Sequence, residues 1–342
     1  MKHLRKLAHS LKFSLIPHQA SRGRAQIRLH FLRCVLLGFC LVGLGGCRDA
    51  KRPFHDWIGE EHKVKVLCTT AQVASLVAEI GGERVAPWVL IRGELDPHSY
   101  EMVKGDAEKF ARSDLIFYNG LGLEHGASLA SLLQRSKNAI AVGDTIQKLS
   151  PDRILTKDGV VDPHIWMDIS LWEQGITPVV EALSRQDSEG ASYYLARAKN
   201  LREEMQRAHD KVLETLQKVP EKKRYLVTSH DAFQYFTRSY LANPGEVNWA
   251  DRFAAPEGLA PEGQLSLRDI QKIIDFVKLK RICVVFPETN VSRDSIRKIA
   301  YAGNELGLDI SVCPEPLYGD AMSDLSYLEM MQKNAETIAK YL

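Results

Sequence analysis

The sequence predicts an α/β protein of two lobes, each a mostly parallel sheet flanked by helices, joined by one long rigid helix. Three observations predict it. Short β-rich runs alternate with helical stretches from about residue 64, a second such series starts at 224, and one long amphipathic stretch lies between them.

In the first series "VKVLCTT", "RVAPWVLI", "DLIFYNG" and "AIAVGD" read as strands, and "AQVASLVAEIGG", "GDAEKFARS" and "EHGASLASLLQR" as the helices between them. Parallel neighbours need a crossover connection, normally a helix, so this alternation implies a parallel sheet. The second series repeats the pattern: "RYLVTS", "RICVVFPE" and "DISVCPE" are strands, with "SLRDIQKIIDFV" and "RDSIRKIAYAGNEL" as helices. Between the two, Leu195, Ala198, Leu201, Met205, Ala208, Val212 and Leu216 step by three or four, and Pro220 stops the run. At 1.5 Å per residue a helix of roughly thirty residues is about 45 Å long. One such helix resists bending, so lobes that rock slightly are expected rather than lobes that snap shut. The expected boundaries are a leader at 1–47, a charged tether at 48–62, a first lobe at 63–186, the linking helix at 187–220 and a second lobe at 221–342.

The chain has 342 residues, 45% of them hydrophobic, enough for two cores. Residues 1–46 hold eight Lys and Arg and no carboxylate, so a formal net charge of +2 leaves the remainder at −6. A mildly acidic body argues against a nucleic-acid binder, which needs a basic face. The basic front runs into "CVLLGFCLVGLGGC", too short to span a bilayer comfortably and right for a secretory signal, with an anchoring helix as the alternative. "LGGC" resembles the lipobox of bacterial lipoproteins, which makes Cys47 a candidate for lipidation and a membrane tether. Beyond Cys47 only Cys68, Cys283 and Cys313 remain. Cys283 and Cys313 sit on two apolar runs a strand–helix–strand unit apart; a disulfide between neighbouring strands and two small buried side chains are both open readings.

"DPHSYE" at 96–101 returns as "DPHIWMD" at 162–168. Asp-Pro alone is a helix start, Asp as N-cap and Pro at the first helical position, with the His simply next on the helix. Two further segments change the reading. In "RYLVTSHDAFQYF" His230 stands at the carboxyl end of a strand, and in "CPEPLYGDAMSDL" Asp320 follows another. Ligands of open α/β sheets bind outside the carboxyl ends of the strands. His98, His164, His230 and Asp320 are therefore expected to face one cleft, two from each lobe. Three imidazoles and a carboxylate form a coordination set for a divalent transition metal. His125 in "GLGLEHGA" is either an accessory ligand or a surface helix histidine, and Met322 either a soft ligand or a packed side chain. His209 is expected on the polar side of the linking helix, His55 and His62 in the tether, and Trp57, Trp166 and Trp172 in the core or the cleft wall.

These segments, with "FPETNVS" and "YGDAM", resemble the metal-binding solute receptors of bacterial ABC importers, the TroA-like family, over about residues 64–342. The resemblance implies two four-stranded lobes around a rigid helix, a buried metal held by His98, His164, His230 and Asp320, and Glu288 behind these ligands. His230 at the third position resembles receptors that accept zinc and manganese; some members carry Glu there. "SPDRILTKDGVVD" holds no His, unlike the His-rich loop of zinc-dedicated members, so zinc, manganese and iron all stay open. The implied role is capture of the ion for a membrane permease and its ATPase, by an exported, periplasmic, monomeric protein without organic cofactor. An exported zinc-dependent hydrolase and a surface adhesin lipoprotein are the alternatives. The chain has no HExxH, GxSxG or P-loop, which argues against the enzyme.

Overall fold

The computed structural model describes residues 54–261 and 265–342; the leader with Cys47, and residues 48–53 of the expected tether, lie outside the described residues. The remainder of that tether is not loose. Phe54–Ile58 form a short helix, α1, whose Trp57 is buried, packs at a tilt against the Trp88 ring and donates its indole N–H to the Ala86 carbonyl at 2.8 Å. A charged, aperiodic stretch conceals one aromatic anchor, and that anchor is enough to dock it.

Strands β1 (Val64–Cys68), β2 (Val85–Val89), β3 (Leu115–Tyr118) and β4 (Ala139–Ala141) form one parallel sheet in the order β2-β1-β3-β4. Helices α2 (Ala71–Gly81), α3 (Asp106–Arg112), α4 (Ala127–Arg135) and α5 (Val142–Leu149) follow the strands in turn. Thr70 caps α2 by accepting from the Val73 N–H. Alternation along the strands splits the sheet between two cores. Val66, Cys68, Leu115 and Phe117 enter one, while Leu67, Trp88 and Ile116 enter another on the opposite face.

After a two-stranded hairpin, β5 (Thr156–Lys157) and β6 (Val160–Val161), helices α6 (Ile169–Trp172) and α7 (Ile176–Gln186) lead to α8 (Ala191–Gln217), 27 residues long. Its buried stripe is Tyr194, Ala198, Leu201, Met205, Val212 and Leu216, whereas Leu195 is 60% exposed. Tyr194 takes the first place because its hydroxyl reaches Asp187 at 2.6 Å, and Asp187 also grips Arg84 at 2.7 Å. That pairing fixes the rotational phase of the helix.

The second lobe contains β7 (Leu226–Val227), β8 (Phe253–Ala254), β9 (Val284–Val285) and β10 (Ser311–Val312), with α9 (Gln234–Phe236), α10 (Leu267–Lys280), α11 (Asp294–Glu305) and α12 (Tyr327–Tyr341). The four strands make two parallel pairs, β7 with β8 and β9 with β10. One bond, Phe286 N–H to the Val227 carbonyl at 2.8 Å, joins the pairs in the order β8-β7-β9-β10. The β9–β10 ladder stops at Pro287, which has no N–H to donate.

α8 packs on α2, α6 and α7 from the first lobe and on α12 from the second. A single apolar core therefore runs through both lobes, from Val73 and Trp172 past Leu201 and Met205 to Phe236, Met331 and Ile338.

Of the two readings open for Cys283 and Cys313, the disulfide is corrected. Both cysteines are free, as is Cys68; Cys283 is exposed and Cys313 buried. β9 and β10 are neighbours, but Val284 pairs with Ser311, which puts Cys313 three residues further along its strand than the partner of Cys283. Three residues of strand are about 10 Å, beyond the reach of a disulfide.

Candidate metal centre

His98, His164, His230 and Asp320 converge, each offering one ligand atom within 4.8 Å of every other. His98 Nε2 lies 3.2 Å from His164 Nε2. Asp320 Oδ2 is 3.2 Å from His230 Nε2 and 3.8 Å from His98 Nε2, and Asp320 Oδ1 is 3.5 Å from His164 Nε2. An ion bound at about 2.0–2.1 Å sets tetrahedral neighbours roughly 3.4 Å apart. The separations here bracket that edge. All four residues are buried, none more than 5% exposed.

Three of the four side chains follow the carboxyl end of a strand of the lobe sheets. His98 comes from the loop after β2, His230 from the end of β7 and Asp320 from the turn after β10, while His164 opens a single 3-10 turn, Ile165–Met167. Neither Asp-Pro-His starts an α-helix, as Asp-Pro alone would have had it. The aspartates turn inward instead. Asp96 Oδ1 accepts from the His98 N–H at 2.9 Å and Asp162 Oδ1 from the His164 N–H at 3.0 Å, an Asx turn that orients each histidine. Glu101 ends the first copy by capping α4, accepting from the N–H groups of Ala127 and Ser128.

Carboxylates behind the histidines fix the rings. Asp162 Oδ1 is 2.7 Å from His164 Nδ1, and Glu288 Oε2 is 2.7 Å from His230 Nδ1 while its Oε1 accepts the His230 N–H at 2.8 Å. Held at Nδ1 by Asp162, His164 turns its Nε2 to the centre, and Glu288 turns His230 Nε2 the same way, open to a metal once the ring has given up its extra proton. Gly319 admits Glu288: a Cβ there would collide with Glu288 Oε2 and stand 3.3 Å from His230 Cε1. The loop bearing Asp320 is pinned across the lobes, by Gln72 Nε2 to the Asp320 carbonyl at 2.9 Å and Trp166 Nε1 to the Gly319 carbonyl at 3.1 Å. Asn290 Nδ2 donates to Asp320 Oδ2 at 2.9 Å, and the buried Asp320 Oδ1 accepts no hydrogen bond. A buried anionic oxygen left without a donor is costly unless a cation faces it.

Charge follows from this packing. Burial pulls His98 down to about 3, against the pull of Asp320, so it is neutral and ready to coordinate. Burial also acts to lower His230, but Glu288 and Asp320 on its two nitrogens overcome it and hold its proton well above the ordinary 6.5. Burial works to raise Asp320, yet His230, His164 and His98 keep it below the usual carboxylate range. Below His230's raised value a metal must displace that proton. Binding is expected to release about one proton per ion, and affinity to climb up to about tenfold per pH unit until that value is passed. The metal-free protein should behave oppositely: the stability contributed by the His230 proton is fully present below 6.5 and lost as pH rises through the folded value. Calorimetric titration in buffers of different ionisation enthalpy reads the proton; an affinity flat from about pH 6 to 8 would contradict the assignment.

The other singled-out residues fall elsewhere. His125 is exposed in the loop before α4, with its ring centroid 5.7 Å from that of His98, and is not one of the four convergent ligands. His209 is half-buried, its Nδ1 3.0 Å from the Tyr240 hydroxyl. Met322 and Trp172 are packed in the shared core, Trp166 stacks edge-on to His164, and His55 and His62 are exposed. Sequence reasoning missed Asp162, Gln72 and Asn290. The Asp two places before each repeated His was the available signal for Asp162; for Gln72, 248 positions from its partner, there was none.

The family described as ZnuA, zinc-uptake complex component A, periplasmic, matches residues 66–341. The chain belongs to this family. Its similarity to individual members is substantial. The metal-binding protein YtgA of Chlamydia pneumoniae is 37% identical over 310 residues, 89% of this chain and 93% of that protein. The manganese-binding lipoprotein MntA of Bacillus subtilis is 30% identical over 314 residues, covering 89% and 95%. The crystal structure of Fe(III)-bound YtgA from Chlamydia trachomatis superposes with a TM-score of 0.78 at 37% identity, covering 81% of this chain and 97% of that one. The two-lobe α/β architecture of the family is thus that of this chain.

Proposed function

We propose that the chain is the receptor subunit of an ABC importer: it captures a divalent transition metal ion, zinc, manganese or iron, between its lobes and delivers it to a membrane permease driven by its ATPase. The observation that carries this reading is the convergence of His98, His164, His230 and Asp320 around one buried centre, with Asp320 Oδ1 facing it undonated. The metal is cargo. Relatives of the same family are described as binding manganese or, in a crystal, Fe(III), and three nitrogens with one carboxylate accept all three metals. Four protein ligands close a coordination shell that catalytic zinc sites leave open for water, so the chain is read as a carrier and not an enzyme. Export to the periplasm, with Cys47 as the point of a lipid tether, places the receptor where a permease can meet it. The continuous core along α8 favours small rocking of the lobes.

Reconstitution tests the role. Metal-loaded protein added to proteoliposomes of the cognate permease and ATPase should raise ATP hydrolysis and move the ion inside, and the His98→Ala variant should do neither. Equal turnover with and without the loaded protein would end the proposal.

A further inference from the structure

The second lobe holds a basic cavity at the amino ends of β7 and β9, the ends away from His230. It measures about 460 Å3 and is lined by Lys222, Lys223, Lys280 and Arg281, with Tyr225 and Cys283 in its wall. No Asp or Glu side chain is among the described residues that line it; Leu342 contributes one main-chain carboxylate. Acids of the neighbouring segments are engaged elsewhere: Glu214 pairs with Lys218, Glu221 and Glu246 with Arg252, and Glu315 with Lys333 and Lys340. None of the four lining cations makes an ion pair among the described residues, and only Lys280 has an electron-rich partner, the Tyr225 ring at 4.9 Å. Arg281 is kept here against the preference of the backbone. It caps α10 with φ +57° and ψ +45°, a left-handed position that glycine fills at no steric cost. Leu279, between Lys278 and Lys280, is 76% exposed. A bare aliphatic residue flanked by lysines suits the boundary between lipid head groups and acyl chains, where long cationic side chains reach the phosphates.

We propose that this cavity receives the phosphate of an anionic phospholipid head group and so seats the second lobe on a bilayer surface. Lys222, Lys223 and Lys280 supply point charges and Arg281 a planar fork of donors, the two ways in which proteins hold phosphate. The cluster complements a negatively charged leaflet, and each Lys or Arg held near such a surface strengthens binding about fivefold. His230 and Glu288 of the metal centre lie beyond the carboxyl ends of the same strands, so docking here does not require the four ligands to meet the bilayer. The bilayer as the source of the phosphate rests on the exported reading given above; the basic cavity does not.

The test uses Cys283, the exposed free thiol in the cavity wall, on the full chain. Its alkylation by iodoacetamide is followed by peptide mass mapping, which reads it apart from the other cysteines. Vesicles of equal parts phosphatidylglycerol and phosphatidylcholine should slow it, and vesicles of phosphatidylcholine alone should not. For each variant the rate with vesicles is divided by the rate without them. Arg281→Gly should raise the lipid needed for half-protection about fivefold. It should not lower the melting temperature, because glycine relieves the left-handed position. Adding Lys280→Gln should raise the requirement about twenty-five-fold in all, whereas Lys199→Gln, at an exposed position of α8 outside the cavity, should leave it unchanged. Equal protection by the two kinds of vesicle, or protection that survives the double variant, overturns the proposal. Protection by inorganic phosphate with none by vesicles would mean a phosphate site without a bilayer seat, which also overturns it. His98→Ala should be protected as the parent is, so the fate of this site and that of the metal reading are decided separately.

Discussion

Replacing His98 by alanine is expected to abolish tight metal binding and leave the metal-free fold intact, whereas His230→Ala is expected to damage both. Each change removes one ligand of four. The loss of affinity should exceed the roughly 10–100-fold typical of residues that only orient a ligand. The difference lies in what remains behind. His98 is neutral in its site, so alanine leaves a small void beside Asp320 and no new charge. His230 carries a proton between two buried carboxylates, with Glu288 Oε2 2.7 Å from one nitrogen and Asp320 Oδ2 3.2 Å from the other. Its removal leaves two like charges buried and facing each other, and breaking a buried pair in this way costs about 3–5 kcal/mol. Calorimetric titration and thermal melting of the metal-free proteins separate the cases. Parent-like affinity in His98→Ala would refute the ligand assignment, and a parent-like melting temperature in His230→Ala would refute its charge state.

Glu288→Gln is expected to weaken metal binding about 10–100-fold without touching a ligand. Glu288 spends both oxygens on one residue: Oε1 takes the His230 backbone N–H and Oε2 faces Nδ1. An amide keeps one acceptor and turns the other position into a donor. Nδ1–H then meets an N–H, the ring favours the tautomer with its proton on Nε2, and the lone pair leaves the centre. The same change withdraws a negative charge from His230, so the pH dependence of metal binding should move to lower pH. A merely structural glutamate would alter stability alone. Unchanged affinity together with an unchanged pH profile would rule out the positioning role.

Local chemistry explains which elements could be read in advance. The strands of the first lobe follow from apolar runs that alternate with helical periods, and the sheet they form divides Val66 and Leu67 between opposite cores as alternation requires. Pro220 and the three-and-four spacing before it mark the long helix, but its phase depends on Tyr194 reaching Asp187, a contact no periodicity reveals, and Leu195 is left exposed. Cys283 and Cys313 do lie on neighbouring strands; the distance between them is a matter of register, set by how β9 and β10 slide when Ile310 and Val285 find the core. Trp57 docks a stretch whose charge suggested a tether.

The candidate site divides the same way. By itself the sequence pointed to the four candidate ligands and to the segments that carry them, because Asp-Pro-His, Ser-His-Asp and Gly-Asp-Ala-Met are local arrangements whose chemistry survives without the fold. The tertiary structure alone decided how these arrangements meet: Gln72 and Trp166 holding the Asp320 loop, Asn290 on its carboxylate, Asp162 and Glu288 aiming the rings, and Lys157 resting on Asp231. Those contacts join residues up to 248 positions apart. Their strength comes from burial, which removes the competing water, and burial is a property of the packed lobes and of no single segment.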